Sequence, residues 1–315
     1  MIMKTSDRLV IEKTGAGGFT LVELAVVIAT VAVLGALLLP ALAGTKPNTQ
    51  AFQCLENQRQ LILAWQMYTQ DNSDILPPND YPYVTHVARD GTVRNWVFGT
   101  MYYIQDAIDV PGLGQGIQVN PLLTCLATYN QNNAIFKCPA DITLFQGFPR
   151  QRSVSMNSAV GTVWWSDSNH YGTAPPGSAI GGGWLTGVYN NSQTTYRTYG
   201  KITQMTKPGP SSTWVIVDEN PLTINDGSLA ICMNGPNGTI VDFPANYHGG
   251  GAGLAFADGH AEIHKWMDVF LMLVPSANML SASAEAGTPV TKWLPPGVTS
   301  SQDLAWIQPR TSAPW

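Results

Sequence analysis

The chain has 315 residues, of which 44% are hydrophobic and 12% are charged, and its formal net charge at pH 7 is −5. This length supports one large domain or two small ones, and the weakly acidic balance without a basic stripe excludes nucleic acid as the expected partner. The 30 glycines and 22 prolines favour a loop-rich, β-containing exported domain over a compact helical one.

The first predicted element is an apolar helix near the N-terminus. Between Lys13 and Lys46 the only charged residue is Glu23. Residues 24–43 carry no charge, over about the length that crosses a bilayer as a helix. Basic residues slightly outnumber acidic ones ahead of this segment, which favours a cytoplasmic N-terminus.

Two ordinary interpretations of this segment leave Glu23 unexplained. One is a plain transmembrane anchor. The other is a secretory signal peptide with an A-x-A-type cleavage site at residues 41–43, although the apolar stretch is longer than the usual hydrophobic region of such a peptide. A carboxylate near the membrane is costly and usually marks a function.

A third interpretation accounts for the carboxylate. The run G-F-T-L-V-E-L at residues 18–24 resembles the cleavage and methylation motif of type IV prepilins and type II secretion pseudopilins. The resemblance implies that a prepilin peptidase cuts after Gly18 and methylates Phe19. It also implies that Glu23 pairs with the N-terminal amine of a neighbouring subunit, where each charge satisfies the other in a helix bundle. Pro40 lies where many pilins carry a helix-breaking proline.

The chain order then predicts an α+β fold in which a long N-terminal hydrophobic helix packs through its C-terminal part on an antiparallel β-sheet domain with long loops. Residues 48–71 have apolar side chains at helical spacing, and short strand-like runs between Gly, Pro and Asn loops follow from about 81 to 270. The predicted parts are a leader (1–18), a transmembrane and assembly helix (19–72, broken near 40–48), a globular domain (73–270) and a Pro/Ser-rich extension on the domain surface (271–315).

Later blocks extend the resemblance to a large pseudopilin-like group. These are the run from Cys54 to residue 78, the segment F-K-C-P-A-D at 136–141, and His248 followed by nine residues and Asp258-Gly259. Because Cys54 and Cys138 recur in these blocks, the resemblance implies a disulfide between them. Cys125 with Cys232 would be the remaining pair, and Cys125 with Cys138 or four buried free thiols are the alternatives. A zinc ribbon is not expected, because the chain has no C-x-x-C.

Residues 253–266 predict a β-hairpin with a two-residue type I′ turn at Asp258-Gly259. In its second arm His260, Glu262 and His264 alternate, so their side chains share one face that would suit zinc or a similar ion. The preferred interpretation is a polar outer face without metal, because no fourth ligand is evident.

The loop at 217–228 carries Asp218, Glu219 and Asp226, and oxygen-rich loops of this kind suit calcium. Major pseudopilins that this protein resembles bind calcium in a C-terminal loop, so Ca²⁺ is the one cofactor considered, with His248 and Asp258 as residues that would fold back onto the loop. The same residue types are also ordinary turn formers.

The expected function is therefore that of a structural filament subunit without enzymatic activity. Its expected partners are prepilin peptidase, other pilin-like subunits and the secretion machinery. It would reside in the inner membrane before assembly, with the globular domain periplasmic or extracellular. The alternative is an anchored or secreted carbohydrate-binding module that uses the loop tryptophans Trp164, Trp165 and Trp184. A metal-dependent hydrolase centred on His260, Glu262 and His264 is a weaker alternative. The H-G-G-G run at 248–251 resembles the oxyanion-hole segment of esterases, but the chain has no G-x-S-x-G to supply the nucleophile.

Overall fold

We analysed a computed structural model of the chain. It describes residues 20–79, 95–99, 101, 120, 124–163, 175, 177–188, 195–268, 288–289, 296–297 and 299–315, with side chains for all of these except 35–48, 240 and 288–289. The chain forms two compact units, Met1–Lys46 and Pro47–Trp315. Gly18, Phe19, Trp164 and Trp165 lie outside the described residues.

The first helix, α1, spans Leu21–Asp71. Its backbone is helical through Pro40 and Pro47, so the interruption predicted near 40–48 is not present. A proline removes one backbone hydrogen bond from a helix, but it can bend the helix without ending it. In the part of the chain that the structure describes, no helix combines the length and the apolar character needed to cross a membrane.

Within the described residues, the β-strands form a central five-stranded sheet and two small two-stranded sheets. In the central sheet the strand order is β5-β3-β4-β7-β8, and the small sheets pair β1 with β2 and β6 with β9. The strands are β1 Leu144–Phe145, β2 Phe148–Pro149, β3 Val154–Asn157, β4 Trp214–Asp218, β5 Ser228–Leu229, β6 Thr239–Ile240, β7 Gly251–Phe256, β8 Ala261–Lys265 and β9 Thr288–Pro289.

The predicted fold class is wrong. The central sheet is mixed, because β5 pairs with β3 in the parallel direction whereas the other neighbours are antiparallel. After β4 the chain crosses over β3 and adds β5 on the far side of β3. A two-residue strand such as β5 is too short to show a sequence period. The long hydrophobic helix in that prediction is not supported either, since the described residues contain no helix with a membrane-length apolar span.

Among the residues that the structure describes, the core of the Pro47–Trp315 unit has two main clusters. One places Leu61 and Trp65 of α1 against sheet residues that include Met156 and Ala255, all of them fully buried. The other cluster includes Trp214 and Leu254 of the sheet. Burial of side chains of this size contributes about 1.5–3 kcal/mol each, so the first cluster holds α1 on the sheet.

The second cluster is completed by a C-terminal helix, α2, at Gln302–Thr311. Ser301 caps the helix, since its Oγ accepts from the Leu304 amide at 2.9 Å. Leu304 and Ile307 are both only 2% exposed. The prediction of a surface extension is therefore wrong for residues 301–311, where an i, i+3 apolar pair inside a polar, proline-containing segment gives only a weak helical signal.

The predicted hairpin is confirmed, because β7 and β8 pair in antiparallel register from Gly251↔Lys265 to Ala255↔Ala261. The predicted type I′ turn is wrong. Only Gly259 has positive φ (+99°), and its amide donates to the Phe256 carbonyl at 2.9 Å. Since Asp258 keeps negative φ, the connection is a longer turn with a single left-handed residue.

Candidate functional site

Four buried side chains from four separate segments meet inside the Pro47–Trp315 unit. They are Cys54 on α1, Cys138 after a 3₁₀ turn at Asn133–Phe136, Asp218 at the end of β4, and His248 just before β7. One ligand atom from each residue lies within 4.8 Å of the other three. The sequence separates these residues by long stretches, so only the tertiary fold brings them together. We refer to these four residues as the Cys₂AspHis cluster.

Local structure explains how each segment presents its side chain. Cys54 shares one face of α1 with Gln58, Leu61 and Trp65, at helical spacing. The Cys138 amide donates to Ser153 Oγ at 2.7 Å, which ties this loop to the start of β3. His248 lies in a tight turn in which its amide donates to the Gly251 carbonyl at 3.2 Å.

The glycines at 249 and 250 have φ of +66° and +86°, values that favour residues without Cβ. The H-G-G-G run therefore forms the turn that aims His248 inward.

The polar atoms of the cluster are close together. Cys54 Sγ donates to Asp218 Oδ2 at 3.0 Å, and Cys138 Sγ lies 3.2 Å from His248 Nε2. The same Nε2 lies 3.7 Å from Asp218 Oδ2, and the side chains of these two residues are 2% and 0% exposed. The four groups thus converge on one small volume that solvent does not reach.

The surroundings shift the proton affinities of these groups. The hydrogen bond with Cys138, together with burial and the Asp218 carboxylate, raises the pKa of the Cys54 thiol. Burial also acts to raise the pKa of Cys138, but its contacts with Cys54 and His248 outweigh this and lower that pKa. For His248, burial lowers the pKa, and the contacts with Asp218 and Cys138 outweigh it and raise the pKa to about 9.

A surrounding layer of polar groups orients the Asp218 carboxylate. Gln58 Nε2 donates to Oδ1 at 3.3 Å, and the Gly253 amide donates to Oδ2 at 3.0 Å. A Cβ at Gly253 would lie 3.0 Å from both Asp218 Oδ2 and Cys54 Sγ. The absence of a side chain at Gly253 therefore leaves the space that Asp218 and Cys54 occupy.

This close approach gives a direct prediction. The Gly253→Ala variant should lose about 1–3 kcal/mol of unfolding free energy, because the added methyl group forces Asp218 and Cys54 apart in a dense core. Urea denaturation of the variant against the parent chain measures this loss. Gly209→Ala is the matched control, since a Cβ at Gly209 meets nothing within 4 Å. Equal stability of both variants would contradict the packing argument.

Neither predicted disulfide is present in this structure, in which all four cysteines are free and buried. Cys54 and Cys138 are neighbours, as the resemblance implies, but each contacts a different third group, Asp218 or His248. Cys125 belongs to the core cluster around Leu61 and Trp65. Cys232 packs instead with Ala230 and Val241. These two cysteines therefore lie in separate clusters.

The hairpin residues considered as alternative metal ligands do not converge on a common point. His260 is exposed, stacks on Phe256 at 4.2 Å between ring centroids, and places Nδ1 2.6 Å from Asp258 Oδ1. His264 stacks on Trp306 at 3.5 Å, and Glu262 is exposed. Each histidine is thus held by a different aromatic partner.

The predicted calcium loop divides between two places. Asp218 and Glu219 are successive residues at the end of a strand, so their side chains point in opposite directions. Asp218 joins the Cys₂AspHis cluster, together with His248. Glu219 faces a buried group with Asp226, Asp242 and Arg152, while Asp258 stays at the exposed hairpin turn.

The sugar-binding alternative receives no support from Trp184. This side chain is half-buried and packs against Ala230, Cys232 and Val241, so it serves as part of a small core cluster.

The N-terminal motif has a local role that the sequence interpretation missed. The Thr20 amide and hydroxyl both donate to Glu23 Oε2, at 2.9 and 2.8 Å, and the Glu23 amide donates back to Thr20 Oγ1 at 3.2 Å. This reciprocal pattern is a capping box at the start of α1, and the T-x-x-E spacing is its sequence signature.

Comparisons with known proteins add no family to these observations: no family model, curated protein or solved structure matches the chain. For the Cys₂AspHis cluster, the available sequence signal was the recurrence of Cys54, Cys138 and His248 in the blocks that carry the resemblance. That signal marked each segment without indicating that the segments meet.

Proposed function

We propose that the chain is a pilin-like structural subunit of a type II secretion pseudopilus or a type IV pilus-like filament, assembled through the N-terminal part of α1. The observation that carries the proposal is the surface of residues 21–34. Nine large hydrophobic side chains there are at least 47% exposed: Leu21, Val22, Leu24, Val26, Val27, Ile28, Val31, Val33 and Leu34. An apolar surface of this extent calls for neighbouring helices or lipid to cover it.

In this proposal prepilin peptidase cuts after Gly18 and methylates Phe19. The subunit is held in the inner membrane before assembly, with its globular domain in the periplasm or outside the cell. Other pilin-like subunits then cover the apolar surface of α1. Glu23 is the one charged residue within that surface, and it sets the axial register by pairing with the next subunit's amine.

Capping by Thr20 is a competing explanation of Glu23, and substitutions separate the two roles. Glu23→Gln keeps an oxygen that can accept from Thr20 but removes the charge. Thr20→Ala removes the capping hydroxyl and keeps the charge. If the charge sets the register, Glu23→Gln loses filament incorporation and Thr20→Ala retains it.

The measurement is the amount of each variant in sheared filaments relative to the membrane fraction, with processing followed by mass. We expect Glu23→Gln to be cleaved normally and its incorporation to fall about tenfold or more, which corresponds to about 1.4 kcal/mol of coupling per contact. Normal incorporation of Glu23→Gln, together with loss in Thr20→Ala, would assign Glu23 to capping alone and overturn the register role.

The class itself is tested by the mature N-terminus of the protein from membranes of its native host. Mass spectrometry should find N-methylated phenylalanine at position 19. A start at Gly44 would instead identify a secreted protein, for which binding of the full mature chain to insoluble polysaccharides would be the next assay. An intact Met1 would leave only a membrane anchor. Either of these two results would contradict the filament proposal.

A further inference from the structure

We infer that the Cys₂AspHis cluster is a structural zinc site that fastens α1 to the β-sheet. The inference concerns a different part of the chain from the filament proposal and stands without it. Two thiols, one imidazole and one carboxylate form a donor set that suits Zn²⁺, a borderline-soft ion that accepts sulfur, nitrogen and oxygen ligands.

The distances agree with tetrahedral coordination. With Zn–S bonds of about 2.3 Å and Zn–N or Zn–O bonds of about 2.1 Å, neighbouring ligand atoms in a tetrahedral site lie about 3.4–3.8 Å apart. The cluster has contacts of 3.0, 3.2 and 3.7 Å, and all four ligand atoms lie within 4.8 Å of one another. Movements of about 1 Å or less would therefore convert the hydrogen-bonded arrangement into a metal site.

The approach to His248 argues against a nucleophilic dyad oriented by a carboxylate. In such a triad the cysteine contacts one ring nitrogen and the carboxylate orients the other. Here Cys138 Sγ and Asp218 Oδ2 both approach Nε2. One ring nitrogen has a single hydrogen or lone pair along one direction, so it cannot bond well to both atoms, whereas a metal placed between them binds all three.

Burial points to a closed, structural site. Cys54 and Cys138 are 1% exposed and Asp218 is fully buried, so a substrate has no access. Four protein ligands also fill a tetrahedral coordination sphere, which leaves no open position for a catalytic water. A cleft of about 330 Å³ lies on the outer side of Cys138 and is lined by Asn57 and Lys137, and none of the other three ligands lines it.

The remaining contacts supply the outer support that metal sites need. Gln58 and the Gly253 amide hydrogen-bond to the Asp218 carboxylate, and such bonds fix a ligating carboxylate in orientation. A disulfide between Cys54 and Cys138 would leave Asp218 and His248 buried together without the thiols they now contact. The metal uses all four groups, and it cross-links segments separated by 84, 80 and 30 positions along the chain (138 − 54, 218 − 138, 248 − 218).

The test uses the full-length chain, purified in mild detergent with a reductant and without chelators or metal-affinity resin. Elemental analysis should find about one Zn²⁺ per chain. Dialysis against a chelator should remove it, and adding Zn²⁺ back should raise the melting temperature by about 10 °C. Replacement by Co²⁺ should give tetrahedral absorption bands with a thiolate-to-cobalt charge-transfer band.

Substitutions locate the ion. His248→Ala should reduce bound Zn²⁺ about tenfold or more, and Cys54→Ser, if it still binds Co²⁺, should show a weaker charge-transfer band. Cys232→Ser and His260→Ala are the matched controls, since they remove a cysteine and a histidine outside the cluster, and both should bind Zn²⁺ as the parent does. If the cluster variants fail to fold, the Zn²⁺ stoichiometry and the Co²⁺ spectrum of the parent chain still test the inference.

Three results would overturn the inference. The first is a reduced parent chain that binds no Zn²⁺ and melts at the same temperature with and without it. The second is equal loss of the ion in Cys232→Ser or His260→Ala. The third is a Cys54–Cys138 disulfide, found by peptide mapping of the protein from its native host.

Discussion

A chain that ends at residue 300 should not form a stable domain. Residues 301–315 supply α2, whose Leu304 and Ile307 complete one of the two main core clusters. The segment also supplies buried polar contacts: the Asp303 carboxylate accepts the amides of Met267 and Asp268 at 2.8–3.0 Å, and Trp214 Nε1 donates to Thr311 Oγ1 at 2.8 Å. Together their loss should exceed about 5 kcal/mol, comparable to the whole stability of a domain.

The measurement is near-ultraviolet circular dichroism and protease resistance of the truncated chain against the full one. Two point variants compare the loss of a buried contact with the loss of an exposed side chain. Asp303→Ala leaves two backbone amides without their acceptor and should cost about 2–4 kcal/mol, whereas Trp315→Ala, at a side chain 69% exposed, should cost under about 1 kcal/mol. A truncated chain with the parent's melting curve would show that α2 is dispensable.

Arg152→Met should destabilise the domain by about 3–5 kcal/mol, because it leaves buried carboxylates without their cation. Arg152 is fully buried and donates to the Val154 carbonyl at 2.7 Å. Its charge acts on Glu219 and Asp226, both also buried. Arg59→Met is the matched control, since Arg59 is an exposed arginine paired with Glu56, and such surface pairs contribute about 1 kcal/mol or less.

The same carboxylates predict how stability depends on pH. Burial raises the pKa of Asp226 to about 6 and that of Asp242 to about 8. The folded chain therefore holds protons that the unfolded chain, with an aspartate pKa near 3.9, has released, so stability falls as pH rises from about 4 to about 8.

Urea denaturation at pH 5 and pH 8 should show this fall in the parent chain and a steeper fall in Arg152→Met, because the arginine charge lowers the pKa of Asp226. Stability that rises over this interval in both proteins would contradict the assigned protonation. Asp242→Asn should flatten part of the slope in the parent, since it removes one of the buried carboxyl groups whose pKa is raised.

Part of the fold follows from local sequence pattern. The hairpin of β7 and β8 and the strand β4 were predictable because each is long enough to show alternation or a continuous apolar run. The face of α1 that carries Leu61 and Trp65 shows the 3.6-residue period. The parallel strand β5 was not predictable, since its two residues carry no period and its place depends on a crossover between distant segments.

The site was predictable only in pieces. Cys54, Cys138, Asp218 and His248 were each identified, but as a disulfide pair, a member of a calcium loop and a residue that would fold back onto that loop. Sequence spacing reveals a metal site when ligands lie close together, as in C-x-x-C, and here they are 30 or more residues apart. The T-x-x-E spacing alone predicts the capping box at Thr20 and Glu23, and the same two residues also belong to the run that resembles a processing motif.

Several contacts of α1 are made by residues late in the chain, and this affects the order of folding. Gln58 donates to Asp218, Gln66 donates to the Ala257 carbonyl at 3.1 Å, and the sheet face beneath them requires residues up to about 257. Contacts of such long sequence separation form slowly, because large loops must close first. A nascent chain therefore gains little stable tertiary structure until residues up to about 257 have been synthesised.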